Sequence, residues 1–129
     1  MGKHTLGDLQ HAIMQVLWAR VEVTVAEVHE ALYDDRGLAP TTIATMLRKM
    51  EDKGVVAHRV EDRHFVYRPT VTEDEIRSSM VGELLERLFA GDPAALVSHL
   101  VADRDIDEVE IERLRRLLAA AEKKKDENR

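Results

Sequence analysis

Apolar residues fall at helical spacing from the start of the chain. Leu9, Ala12, Ile13, Val16 and Leu17 lie at i, i+3, i+4, i+7 and i+8 and predict an amphipathic helix over Leu6–Arg20. Asp8 suits the positive end of its dipole, and Trp18 is expected to pack between this helix and its neighbours. Val21–Val23 is β-branched and reads as a short extended piece, enough for a one-residue pairing. Thr24-Val25-Ala26-Glu27 is a T-x-x-E capping box that opens a second helix to about Tyr33, with Val25, Val28 and Leu32 inward. After a turn over Asp34–Leu38, Pro40 sits at the first position of a third helix. Its inward stripe is Ile43, Met46, Leu47 and Met50, and Gly54 is its left-handed stop. The period then changes to two. Val56, His58 and Val60 alternate with Val55, Ala57 and Arg59, and Phe65 and Tyr67 alternate with His64, Val66 and Arg68, which predicts a hairpin turning at Glu61-Asp62-Arg63.

Beyond Pro69 the helical period returns. Thr72-Glu73-Asp74-Glu75 is a second capping box, and Ile76, Met80, Val81, Leu84, Leu85, Leu88 and Phe89 line a helix to about Ala90. Asp92 and Pro93 open the next helix, carrying Leu96, Val97, Leu100 and Val101. Asp107 with Glu110 opens the last, lined by Val109, Ile111, Leu114, Leu117, Leu118 and Ala121; the polar tail from Glu122 is expected to fray. The order predicts a mainly α fold. A winged helix-turn-helix of three helices and a small β-hairpin wing spans residues 1–70, and a three-helix region spans 71–129. A winged helix is complete by Pro69, so the three later stripes are expected to meet a second copy of the chain, through Ile76, Met80, Leu84, Leu88, Leu114 and Leu117.

The face of the third helix opposite its apolar stripe holds Thr41, Thr42, Thr45, Arg48 and Lys49. Threonine hydroxyls exchange hydrogen bonds with base edges and their methyls fit against thymine, while the cations suit phosphate or a purine edge. Arg63 at the hairpin tip suits the minor groove or backbone phosphate. Helix-turn-helix geometry places this third helix in the major groove, so these six residues are the candidate contacts to double-stranded DNA. A net charge of −6 argues against a non-specific DNA coater, but the charge is uneven. Residues 71–129 carry a net −5, whereas residues 40–68 carry a net +2. Zero cysteines exclude disulfides and thiolate metal sites. The N-terminal MGKHTLGDLQHAIM holds no signal-peptide core and the chain holds no membrane-length apolar run, so a cytoplasmic location without membrane insertion is expected.

The segments APTTIATMLRKMEDKG (39–54), HRVEDRHFVYRP (58–69) and LLERLFAGDPAALVSHLVAD (84–103) resemble the BlaI/MecI penicillinase-repressor family, which includes the CopY copper-responsive repressors. The likeness runs over almost the whole chain. It implies a homodimeric winged-helix repressor that binds a dyad operator of TACA/TGTA type and blocks transcription until released, without a cofactor. It places recognition on Thr41, Thr42 and Thr45, with wing support near Arg63. In the β-lactam-responsive members a membrane sensor-protease system triggers cleavage at an Asn–Phe bond, which aligns here with His99-Leu100. His-Leu thus departs from the Asn–Phe pair cut in those members, with His99-Leu100 the corresponding candidate bond and a membrane sensor-protease system the partner the resemblance implies; the missing cysteines separate the chain from CopY-type copper sensing. Asp62 replaces the usual wing-turn Gly and Ala39 the usual N-cap Ser. Two other readings stay open. The six histidines (His4, His11, His29, His58, His64 and His99) suggest a metal-responsive regulator, though no metal-ligand spacing joins them. A winged-helix protein-interaction module is the other. No Gly-rich phosphate loop, G-x-S-x-G or H-E-x-x-H marks an enzyme.

Overall fold

The computed structural model describes residues Thr5–Asn128. In chain order the elements are α1 (Asp8–Arg20), β1 (Val23–Thr24), α2 (Val25–Arg36), α3 (Pro40–Lys53), β2 (Val56–Glu61), β3 (His64–Pro69), α4 (Glu73–Phe89), α5 (Pro93–Asp103) and α6 (Glu108–Glu127). The sheet is antiparallel with order β1-β3-β2; Val23 pairs with Tyr67 and Thr24 with Val66, while His58 pairs with Tyr67 across the hairpin. That is a winged helix-turn-helix followed by three helices.

The core is built where the stripes converge. Ile13, Met14 and Leu17 of α1, Val28 and Leu32 of α2, and Ile43, Leu47 and Met50 of α3 meet Val55, Val56 and Tyr67 from the hairpin. Met14 lies outside the expected stripe yet is fully enclosed, because α1 is covered on two sides, by α2 and by α3 with the sheet. Trp18 is half-buried against this core, and its indole N–H donates to the Val71 carbonyl oxygen at 2.9 Å.

Several element ends differ from expectation. Helix α2 continues to Arg36 because the left-handed Gly37 (φ +57°), not the acidic pair before it, supplies the stop; the Gly37 N–H donates to the Tyr33 carbonyl at 2.7 Å. Strand β1 starts at Val23 and makes two pairings, because Val21 turns the chain at φ +72° with the Glu22 N–H bonded back to the Arg20 carbonyl. The tail expected to fray is helical to Glu127. Ala119-Ala120-Ala121 followed by Glu and Lys are strong helix formers, which outweighs the lack of apolar burial.

Ile76 is a correction. It is 2% exposed and belongs to the winged-helix core, so it offers nothing to a second chain. Met80 packs partly against the same core. The chain divides into two compact units at Leu84/Leu85, so α4 as far as Leu84 belongs with the winged helix. The expected boundary at residue 70 followed the hairpin's end; the buried Ile76 moves it.

The capping box at the start of α2 is complete. The Glu27 N–H donates to Thr24 Oγ1 at 3.2 Å, and the Thr24 N–H donates to the Glu27 carboxylate at 3.0 Å. That backbone hydrogen bond, with the Thr24 hydroxyl, holds the Glu27 carboxyl below its ordinary pKa. Its contribution to stability is therefore fully present above the ordinary carboxylate range and is lost as pH falls below that range through the lowered folded-state pKa. Thr24→Ala is expected to cost about 1 kcal/mol, read as a lowered melting temperature, with part of the acid response through Glu27 retained because the residue-24 backbone N–H still donates to that carboxylate.

Candidate nucleic-acid interface

Helix α3 turns one face to the core and the other to solvent, which follows from its 3.6-residue period. Thr41, Thr42, Thr45, Arg48 and Lys49 are all exposed on the outer face, and Arg63 is exposed at the wing tip. Among the described residues, none of these six side chains forms a hydrogen bond or ion pair with another part of the chain. Other cations nearby are already engaged. Lys53 donates to the Thr5 carbonyl at 2.7 Å and to Gln10 Oε1 at 2.8 Å, which ties α3 to α1. Arg59 pairs with Glu22 at 2.8 Å and with Glu61 at 2.6 Å. The Arg59 guanidinium holds the Glu22 carboxyl below the usual carboxylate range, and both carboxylates raise the pKa of Arg59. So of the basic residues from Pro40 to Arg68, Arg48, Lys49, Arg63 and Arg68 are exposed and form no hydrogen bond or ion pair among the described residues, and the first three lie on the α3 face and at the wing tip.

The N-terminus of α3 adds little to this. Ala39 offers no capping oxygen and Pro40 has no N–H, the Thr42 N–H turns back to the Ala39 carbonyl at 3.0 Å, and among the described residues the Thr41 N–H is the first-turn amide of α3 left without a partner. At the wing, Glu61 and His64 close the ladder and leave a two-residue turn, Asp62 (φ +50°) and Arg63 (φ +69°). Positive φ at both central positions is the hairpin turn that normally selects Asn-Gly. An arginine there costs about 1 kcal/mol in backbone strain. Arg63→Gly is expected to raise stability by about that amount while weakening DNA binding, a split readable by pairing thermal melts with binding titrations.

Sequence reasoning missed two contacts that shape the wing: Arg59 with Glu22, and His58 with Glu51. The His58 Nδ1–H donates to Glu51 Oε1 at 2.6 Å. Neither is a local pattern; each depends on the register of the hairpin. Burial pushes the nearby Tyr67 phenol up, and the Glu51 carboxylate acts in the same direction. The histidines do not gather. His58 and His64 lie on opposite faces of the hairpin, since His58 opposes Tyr67 and His64 opposes Glu61. Among the described residues no group of three His, Asp or Glu converges on a point, and His4 lies outside them.

The second unit has a different character. Among the described residues no side chain of α5 or α6 is buried. Leu88 is 66% exposed and Leu117 59%, and Leu114 is exposed too; Leu84, the last residue of the first unit, is also exposed. Val97, Leu100, Val101, Ile106, Leu114 and Leu117 line an open groove of about 720 Å³. His99 and Leu100 lie within α5, where His99 pairs with Asp103 at 2.9 Å and meets Phe89 edge-on. No helix among the described residues is long and apolar enough to cross a membrane.

Residues 6–120 match the profile of the penicillinase repressor family. The chain belongs to that family. It is 40% identical over 119 residues to the transcriptional regulator BlaI of Mycobacterium tuberculosis, spanning 91% of this chain and 85% of that one. The penicillinase repressor of Bacillus licheniformis is 27% identical over 122 residues, 95% of each chain. The solution structure of the DNA-binding domain of the repressor BlaI is similar to 57% of this chain and 90% of its own, at 31% identity and a TM-score of 0.52. That of the monomeric form of Bacillus licheniformis BlaI in complex with the blaP half-operator covers the same shares, at 31% identity and a TM-score of 0.50.

Proposed function

We propose that this penicillinase-repressor chain is a dimeric transcriptional repressor that reads a dyad operator of TACA/TGTA type and blocks transcription by occupying it. The observation that carries the reading is the outer face of α3. It is exposed, made of hydroxyls and cations without partners among the described residues, and a relative, Bacillus licheniformis BlaI, was solved in complex with the blaP half-operator. Thr41, Thr42 and Thr45 read base edges; Arg48, Lys49 and Arg63 hold phosphate. Met80, Leu84 and Leu88 of α4 and Leu114 and Leu117 of α6 are the residues offered to the second copy. A helical unit without a buried residue of its own gains its core by sharing one with a second copy. Release by cutting at His99-Leu100 requires the middle of α5 to unwind first, because the bond lies inside a hydrogen-bonded helix.

A hydroxyl-radical footprint on the dyad tests the reading. Two protected half-sites on one face of the duplex, about one turn (~34 Å) or a multiple apart, are expected from a two-fold dimer. A single protected half-site, or uniform weak protection, contradicts it.

A further inference from the structure

The wing leaves the core after its base. Val56 and Tyr67 are buried, but Val60 is 62% exposed and Phe65 43%, so apolar packing does not fix the outer half of the hairpin. Two neighbouring residues of β2 hold it from opposite faces. Arg59 reaches Glu22 ahead of β1, and His58 reaches Glu51 in the last turn of α3. The His58 ring stacks on Phe65, with centroids 4.2 Å apart and planes 20° apart, and lies 5.6 Å from Tyr67. Among the described residues, this is the one side-chain hydrogen bond between α3 and the hairpin.

We propose that His58 is a positioning residue that, through Glu51, sets the pitch of the wing against the recognition helix, so that Arg63 meets DNA in step with Thr45 and Arg48. The inference rests on the operator-binding reading above for its consequence, though not for the geometry. The lever is long. From His58 to the turn at Asp62 the strand runs about 13 Å, so a swing of ~10° moves the tip by about 2 Å, enough to lose a phosphate contact. The stack on Phe65 limits rotation of the ring and keeps Nδ1 aimed at the helix. An alternative role, in which His58 merely offsets the charge of Glu51, makes a different forecast. Under it, removing that charge strengthens DNA binding.

The test is a binding titration of the full chain on a TACA/TGTA dyad duplex, joined to amide hydrogen exchange of the DNA-free protein. Arg63→Ala is expected to weaken binding about tenfold, His58→Leu about as much, and the double variant scarcely more than either alone. His58→Gln keeps a donor toward Glu51 and Glu51→Gln keeps an acceptor, so both stay within about twofold of the parent, whereas Glu51→Leu behaves like His58→Leu. Exchange at Val60–His64 quickens about tenfold in His58→Leu and Glu51→Leu and is unchanged in the two Gln variants. Losses that multiply in the double variant, tighter binding by both Glu51 variants, or unaltered exchange overturn the proposal. Should the unmodified chain fail to prefer the dyad, the operator reading falls by itself, and exchange decides whether His58 holds the wing.

Discussion

Leu88→Asp is expected to leave the protein monomeric and to cost the dyad operator at least two decades of affinity. Leu88 is 66% exposed in the single chain and supports no part of its core, so the substitution spares the fold of each copy. In a two-fold dimer it acts twice. Burying an unpaired carboxylate costs at least about 2 kcal/mol per copy, which is roughly three decades in the dimer constant. Sedimentation reads the mass, and the binding curve on the dyad should collapse onto that of a half-site. Leu88→Met keeps the volume and the apolar surface and should remain dimeric. Dimers that persist in Leu88→Asp would move the seam to Leu114 and Leu117 of α6.

Arg48→Glu carries the second large effect. The side chain is exposed and has no hydrogen-bond or ion-pair partner among the described residues, so thermal stability should stay within about 0.5 kcal/mol of the parent. On DNA the reversal removes a phosphate contact and places a carboxylate beside the backbone. A loss of about 1.4 kcal/mol per copy, on two copies, weakens the dyad complex about 100-fold. Random duplex weakens as well, and the slope of log K against log salt flattens by about two, one phosphate per copy. Thr45→Ala should differ in kind, lowering affinity for the dyad while leaving scrambled DNA almost untouched, because its hydroxyl and methyl meet bases and not phosphate. Parallel losses on both duplexes would remove Thr45 from base readout.

The contrast between these variants mirrors what the chain reveals about itself. Helix starts were legible because capping is local chemistry. Glu75 N–H donates to the Thr72 hydroxyl at 3.0 Å, Ala94 N–H to Asp92 at 3.0 Å and Glu110 N–H to Asp107 at 2.9 Å, each as the sequence pattern implies. The exposed face of α3 was legible from period alone. Helix ends were less so: Arg36 and Glu127 lie beyond the expected stops, where propensity and a glycine decided the outcome rather than polarity. Ile76 was misplaced for a further reason. It belongs to a stripe continuous along α4, and a period cannot say that its first turns face one partner and its later turns another. The ties from His58 to Glu51 and from Arg59 to Glu22 needed three-dimensional register; spacing in the chain carries no trace of them.

The most direct test of the account is a titration of the purified chain on a TACA/TGTA dyad duplex and a scrambled duplex across a salt series. Preference for the dyad by two to three decades, with two chains per site and a steep salt dependence on both duplexes, is the expected result. Equal, weak and strongly salt-dependent binding to both duplexes would contradict it, leaving the α3 face as a phosphate-binding surface without sequence readout.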